Sequence, residues 1–89
     1  METFSTYHDE QADGSLIRVF DESVDPIELQ WHRDGEDRWV VAVDSTDWRI
    51  QLDDQLPQSL NSEVMIPKGE WHRVIKGSGP LRIKITKGR

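Results

Sequence analysis

Residues 30–43 of the 89-residue chain read QWHRDGEDRWVVAV, a polar turn that leads into an unbroken apolar run. The turn is Arg33–Asp37, built around Gly35, and the run predicts a strand over Trp39–Val43. A strand that is apolar on both faces is typical of the covered centre of a sheet. This stretch therefore predicts a β fold with a buried strand in the middle of the chain.

Short apolar runs lie on both sides of this stretch, about 10 residues apart, and the turn residues between them are typical of an all-β sandwich or barrel. No run of useful length has the helical period. The further predicted strands are Ser15–Phe20, Ile27–His32, Trp48–Leu52, Val64–Ile66, Trp71–Ile75 and Leu81–Ile85. We expect residues 15–89 to form one barrel, and residues 1–14 to be an N-terminal segment that is partly irregular or adds a covering strand.

Composition excludes several classes of protein and site. Acidic residues number 17 and basic residues 11, which gives a net charge of −6 and disfavours non-specific nucleic-acid binding. The absence of cysteine excludes disulfides and thiolate sites and favours a cytoplasmic location. No apolar run approaches the ~20 residues of a membrane span, and the N-terminus does not resemble a signal peptide. We therefore expect a cytoplasmic domain with neither nucleic acid nor membrane as its partner.

Two histidines stand beside turns that could bring them together. His32 opens the turn around Gly35, and His72 follows the turn at Pro67–Gly69. Two histidines and one carboxylate can bind a divalent metal and leave positions open for water or substrate. Spacing alone leaves open that both are ordinary surface or packed histidines.

Both histidines lie in stretches that resemble a known family. QWHRDGE at 30–36, followed by the strand at 39–43, resembles the first cupin motif, in which His-x-His precedes a Glu and a strand. PKGEWH at 67–72 resembles the second motif, Pro-x-Gly-x-x-His. The resemblance spans about residues 15–86. In detail, the sequence is similar to the cupin domain of mannose-6-phosphate isomerases. It implies a small cupin-like jelly-roll β-barrel, also called a double-stranded β-helix.

The resemblance also implies a metal site inside the barrel. Carried over by position, the ligands are His32, Glu36 and His72, with Gln30 where the family has its first histidine. A glutamine amide is a weaker ligand for transition metals than imidazole, so the loss of the metal is an open alternative. Asp34 and Asp37 are the alternative carboxylates. The metals that suit such ligands are Fe, Mn, Ni and Zn.

Three functions remain open at this point. The chain could be a metal-dependent enzyme acting on a small polar molecule, although no catalytic residue can be assigned. It could be a metal-free module that binds a sugar-like ligand through Gln30 and Arg38. It could also be an interaction protein that uses exposed tryptophans and its basic last strand.

Strand parity adds one expectation about the surface. If His32 and His72 point into the barrel, the outward side chains are Ile27, Leu29, Trp31, Trp71 and Ile75. Such an apolar patch should be covered by the N-terminal segment or by a second subunit. The resemblance implies a homodimer.

Overall fold

The computed structural model describes residues 7–12, 15–21, 23 and 29–88. This part of the chain contains eight strands and no α-helix. The strands are β1 (Tyr7–Ala12), β2 (Ser15–Phe20), β3 (Arg38–Ala42), β4 (Arg49–Leu52), β5 (Gln58–Ser59), β6 (Val64–Ile66), β7 (His72–Ile75) and β8 (Leu81–Lys87). Among the described residues no helix is long and apolar enough to cross a bilayer.

The strands form two antiparallel sheets. One has the order β1-β2-β8-β3-β6 and the other the order β5-β4-β7. Buried side chains from both sheets form one apolar cluster, in which the rings of Phe20 and Trp48 lie 5.9 Å apart. Neighbours such as β2 and β8 are far apart in sequence, as expected of the predicted jelly roll.

Most predicted strands lie where the pattern placed them. Ser15–Phe20 and Val64–Ile66 have the predicted bounds. The strand predicted at 39–43 lies one residue earlier, at 38–42, and those predicted at 48–52 and 71–75 each begin one residue later. β8 continues two residues beyond Ile85. Trp48, Ile50 and Leu52 are each less than 5% exposed, as their alternation predicted.

Two regions differ from the sequence prediction. Residues 27 and 28 of the predicted strand Ile27–His32 lie outside the described residues, and within 29–32 only His32 pairs with another strand. The short strand β5 lies in a stretch that reads as a polar loop, because a two-residue strand leaves no alternation to detect. From the N-terminal segment, β1 pairs along β2 and widens the larger sheet.

Trp48 closes one end of the core. Its side chain is completely buried, and its indole Nε1 donates to the carbonyl oxygen of Gly79 at 3.1 Å. The carboxylate of Asp47 accepts from the backbone N–H and the hydroxyl of Ser78, at 2.9 and 2.8 Å. Together these bonds tie the turn before β4 to the turn before β8.

This closure leaves no room for a side chain at Gly77. A Cβ there would lie 2.7 Å from the backbone N of Trp48 and still closer to the Asp47 carboxylate. We therefore expect Gly77→Ala to lower the free energy of unfolding by about 1–3 kcal/mol, the range for overpacking. Chemical denaturation measures this, with Gly35→Ala as the control because no atom lies within 4 Å of the place that its methyl group would take. Equal stability of the two variants would contradict the close approach at Gly77.

Candidate metal centre

His32 and His72 pair through their backbones and so bring the two motifs together. His32 N–H donates to the carbonyl of His72 at 2.9 Å, and His72 N–H donates to the carbonyl of His32 at 2.8 Å. Residues that exchange both bonds in this way carry their side chains on the same face. The imidazole centroids are 4.3 Å apart, with the rings inclined at 61°.

Backbone carbonyls fix the tautomer of both rings. Nδ1 of His32 lies 2.9 Å from the carbonyl oxygen of Gln30, and Nδ1 of His72 lies 2.9 Å from that of Glu70. A carbonyl oxygen can only accept, so each Nδ1 carries the hydrogen, and in a neutral ring the lone pair is on Nε2. An Nδ1–H held by a backbone carbonyl is typical of histidines that bind metals.

His72 is the more buried of the two, with 3% of its surface exposed. Burial lowers the pKa of His72, although the Glu70 carbonyl and the Asp34 carboxylate act in the opposite direction. His72 is therefore neutral at pH 7. The neutral ring is the form that can bind a metal ion.

Asp34 completes the cluster. One carboxylate oxygen, Oδ1, lies 3.3 Å from Nη1 of Arg38. The other, Oδ2, is buried 3.2 Å from Nε2 of His72 and has no hydrogen-bond partner within the described part of the chain. Ligand atoms of His32, Asp34 and His72 all lie within 4.8 Å of one another.

The contact between Asp34 and His72 is the unusual feature of this cluster. With its hydrogen on Nδ1, neutral His72 presents a lone pair to an oxygen that also can only accept. Buried polar atoms of native proteins are rarely left unsatisfied. A cation between the two atoms would satisfy both, so the residues present fit a bound metal ion.

The turn of the second motif supports Asp34 from behind. Glu70 N–H donates to the carbonyl of Pro67 at 3.0 Å, and Gly69 has φ of 80°, the geometry of a turn that requires glycine at its third position. Gly69 N–H donates to the carbonyl of Asp34 at 2.9 Å. Lys68 N–H donates to Asp37 Oδ1 at 2.8 Å, so Asp37 holds this turn and is not part of the cluster.

The structure brings together two of the predicted ligands, His32 and His72, and places Glu36 elsewhere. Glu36 Oε2 accepts from Nε of Arg38 at 2.6 Å, and the side chain is 38% exposed. This hydrogen bond lowers the pKa of Glu36. Asp34, the alternative carboxylate, takes its place beside the histidines. In extended chain Asp34 would share the face of His32, but Glu36 has the same parity, so alternation does not separate the two carboxylates.

Gln30 and Arg38, the predicted ligand contacts, both line the pocket next to the histidines. Gln30 supplies its backbone carbonyl to His32, and Arg38 binds the carboxylates of Asp34 and Glu36. Arg38 is thus a positioning residue for Asp34. Contact of either side chain with a ligand stays a prediction.

The cluster opens into a cavity of about 450 Å³ between the two sheets. Its charged and polar lining includes Arg18, which the sequence pattern did not single out. Arg18 stands between Leu16 and Phe20 on one face of β2, so its alternation with inward apolar residues was the available signal. The apolar lining consists of Phe20, Leu29, Trp31, Val40, Ile50, Ile66, Val74, Ile83 and Ile85.

The outer side of the histidine pair carries two tryptophan–arginine contacts. Counted outward from the pair, Trp31 lies opposite Arg73, and Arg33 lies opposite Trp71. Each guanidinium carbon is 5.1 Å from the centroid of the facing ring. Trp31 and Trp71 are 41% and 44% exposed, so they lie on the surface as parity predicted. The same parity was wrong for Leu29, which packs against the core, because strand pairing does not extend to it. The two arginines cover these tryptophan rings in part. The strand of the N-terminal segment, β1, pairs with β2 in the other sheet. The homodimer stays a prediction.

Comparison with known proteins supports the fold. No family model matches the chain, and no curated protein matches it. Among solved structures, protein NMB1881 from Neisseria meningitidis is similar with a TM-score of 0.63 and 16% identity, over 99% of this chain and 89% of that one. A cupin-2 domain-containing protein from Shewanella frigidimarina has a TM-score of 0.63 and 14% identity, over 99% and 85% of the two chains.

A third structure, from Ralstonia eutropha, is provisionally assigned as a mannose-6-phosphate isomerase. It has a TM-score of 0.58 and 16% identity, over 91% of this chain and 81% of that one. The chain therefore has the cupin fold, as the resemblance of its two motifs implied. Likeness at this level of identity concerns the fold, and function must be argued from the site.

The tryptophan–arginine contacts predict a measurable coupling. A double-mutant cycle of Trp31→Leu and Arg73→Met should give a favourable interaction of about 0.5–1 kcal/mol, as expected of a cation–π pair at an exposed position. The cycle removes the separate contribution of the Arg73–Gln51 hydrogen bond. A cycle of Trp31→Leu with Arg82→Met, on the other sheet, should show no coupling. Equal coupling in both cycles would contradict the specific contact.

Proposed function

We propose that this chain binds one divalent transition metal through His32, Asp34 and His72 and presents it to a small polar molecule in the barrel cavity. The observation that carries the proposal is the buried Oδ2 of Asp34, which lies 3.2 Å from Nε2 of His72 without a hydrogen-bond partner among the described residues. Without a cation, this arrangement places two hydrogen-bond acceptors next to each other with no hydrogen between them.

The donor set favours a particular class of metal. Two imidazole nitrogens and one carboxylate oxygen form the set that binds Fe(II) in many oxygenases, and it also suits Mn, Ni and Zn. Cysteine is absent, so no thiolate ligand is available to favour softer ions. When bound, such an ion supplies a Lewis acid or a centre for oxygen chemistry.

Three protein ligands are typical of catalytic rather than structural metal sites, because positions remain open for water or substrate. The cavity of about 450 Å³ is large enough for a small molecule. These features favour the metal-dependent enzyme over the metal-free binding module.

The remaining residues orient the ligands. Arg38 holds Oδ1 of Asp34 and so directs Oδ2 toward the histidines. Glu36 in turn fixes Arg38 through a hydrogen bond of 2.6 Å. The backbone carbonyls of Gln30 and Glu70 hold the rings so that Nε2 faces the cluster. Apolar side chains around the cavity limit water, which strengthens electrostatic interactions within it.

Metal binding by matched variants tests the proposal. Equilibrium dialysis against Zn²⁺ and Mn²⁺, followed by elemental analysis, should give one ion per wild-type chain. Asp34→Asn and His72→Ala should weaken binding by at least about 10–100-fold, the loss seen when even a supporting partner of a ligand is removed. The Asp34→Asn variant should remain folded without metal, because the asparagine amide can donate to Nε2 of His72.

Glu36→Gln is the matched control, since it changes the other predicted carboxylate in the same turn. We expect it to weaken binding less than Asp34→Asn does, because Glu36 acts on the site only through Arg38. If Glu36→Gln weakened metal binding more than Asp34→Asn, the carboxylate ligand would be Glu36. Wild-type protein that takes up no metal from either solution would refute the metal site and leave the metal-free binding module.

A further inference from the structure

We propose that the molecule bound in the cavity carries a carboxylate and that Arg18 is the residue that selects it. The inference rests on the proposed function for the role of that molecule, and it names its chemical class. Four features of the cavity carry it: the inward position of Arg18, the charge of the lining, its apolar remainder and the small number of neutral polar groups.

Arg18 is a charged residue at an inward position of a barrel strand. It pairs with Ile83 of β8, and it stands between Leu16 and Phe20 on the face of β2 that packs on the core. A charge among apolar side chains is costly to desolvate unless it has partners.

Arg18 also interacts within the chain. The guanidinium group has five N–H donors in a planar fork, so it can bind a ligand carboxylate beside another acceptor. The same fork matches the two oxygens of a carboxylate, which makes arginine the preferred residue for recognising this group.

The charge of the lining favours an anion. Among the residues that the structure describes, two arginines, Arg18 and Arg38, and one carboxylate, Asp34, line the cavity. With the histidines left out, these charges sum to 2 − 1 = +1, in a chain whose net charge is −6. A divalent ion at the histidine cluster would raise the sum to +3. An anionic ligand would therefore be attracted to this cavity even though the protein as a whole repels anions.

The rest of the lining favours a small hydrocarbon part on the same molecule. Seven of its side chains are buried or packed apolar residues from both sheets, namely Phe20, Val40, Ile50, Ile66, Val74, Ile83 and Ile85. A neutral sugar would need several hydroxyl partners, and Gln30 is the one side-chain amide in the described part of the lining. A short carboxylic acid satisfies both the charge and the apolar surface.

Three probes that share one hydrocarbon chain test the charge preference. Butanoate, butanamide and butylammonium would be titrated into metal-free protein at constant ionic strength and followed by ¹H–¹⁵N NMR. Butanoate should give saturable shifts at β2, β7 and β8, and the other two probes should bind at least about tenfold more weakly, as expected when a hydrogen bond to a charged group is lost. Equal binding of the three probes, or no saturable shift with butanoate, would overturn the inference.

Variants assign the preference to one residue. Arg18→Met should weaken butanoate binding at least about tenfold, and Arg18→Lys should retain part of it. Arg82→Met is the matched control, because Arg82 lies on the outer face of the adjacent strand and pairs with Asp44; it should bind butanoate as the wild type does. Unchanged binding by Arg18→Met would overturn the role of Arg18. If that variant does not fold, the preference of the wild type among the three probes still decides whether the cavity selects a carboxylate.

Metal uptake, measured separately by dialysis, distinguishes the two proposals. A chain that takes up metal but shows no preference for butanoate refutes the carboxylate inference and leaves the metal site. A chain that binds butanoate through Arg18 but takes up no metal refutes the proposed metal function and leaves the anion site.

Discussion

The paired backbone hydrogen bonds between His32 and His72 are the constraint on which the site depends. They join the turn before β3 to the start of β7, which β4 holds in the smaller sheet. On the inner side of this pair the two imidazoles lie edge to face, and on the outer side Trp31 and Trp71 each face an arginine. A loss of register here would therefore disturb the inner cluster and the outer contacts together.

Around this pair the chain uses its backbone to fix side chains. Carbonyl oxygens hold both imidazoles, and the glycine of the Pro67–Glu70 turn holds the backbone of Asp34. Arg38 then directs the Asp34 carboxylate toward His72. The result is an oxygen that is buried beside a nitrogen lone pair, an arrangement that lowers stability without a cation. Sites that bind ligands commonly retain such local costs.

The fold could be predicted from the sequence because its main signals are local. Alternation at Trp48, Ile50 and Leu52 identified an inward face, and the motif ending at His72 identified a turn that needs glycine. The histidine pair was also predictable, since each histidine stands in one motif. The choice between Asp34 and Glu36 was not, because both lie in one short turn and the family spacing favours the residue that Arg38 binds instead. Arg18 was missed because an arginine in a strand reads first as a solvent-facing residue.

The location of a bound metal is the most direct test of the proposed site. Crystals of the Zn²⁺-loaded protein, measured at the zinc absorption edge, would locate the ion by anomalous scattering. We predict one peak about 2.0–2.2 Å from Nε2 of His32, Nε2 of His72 and a carboxylate oxygen of Asp34. A peak bound to Glu36 instead of Asp34, or zinc found only away from the histidine pair, would contradict this site.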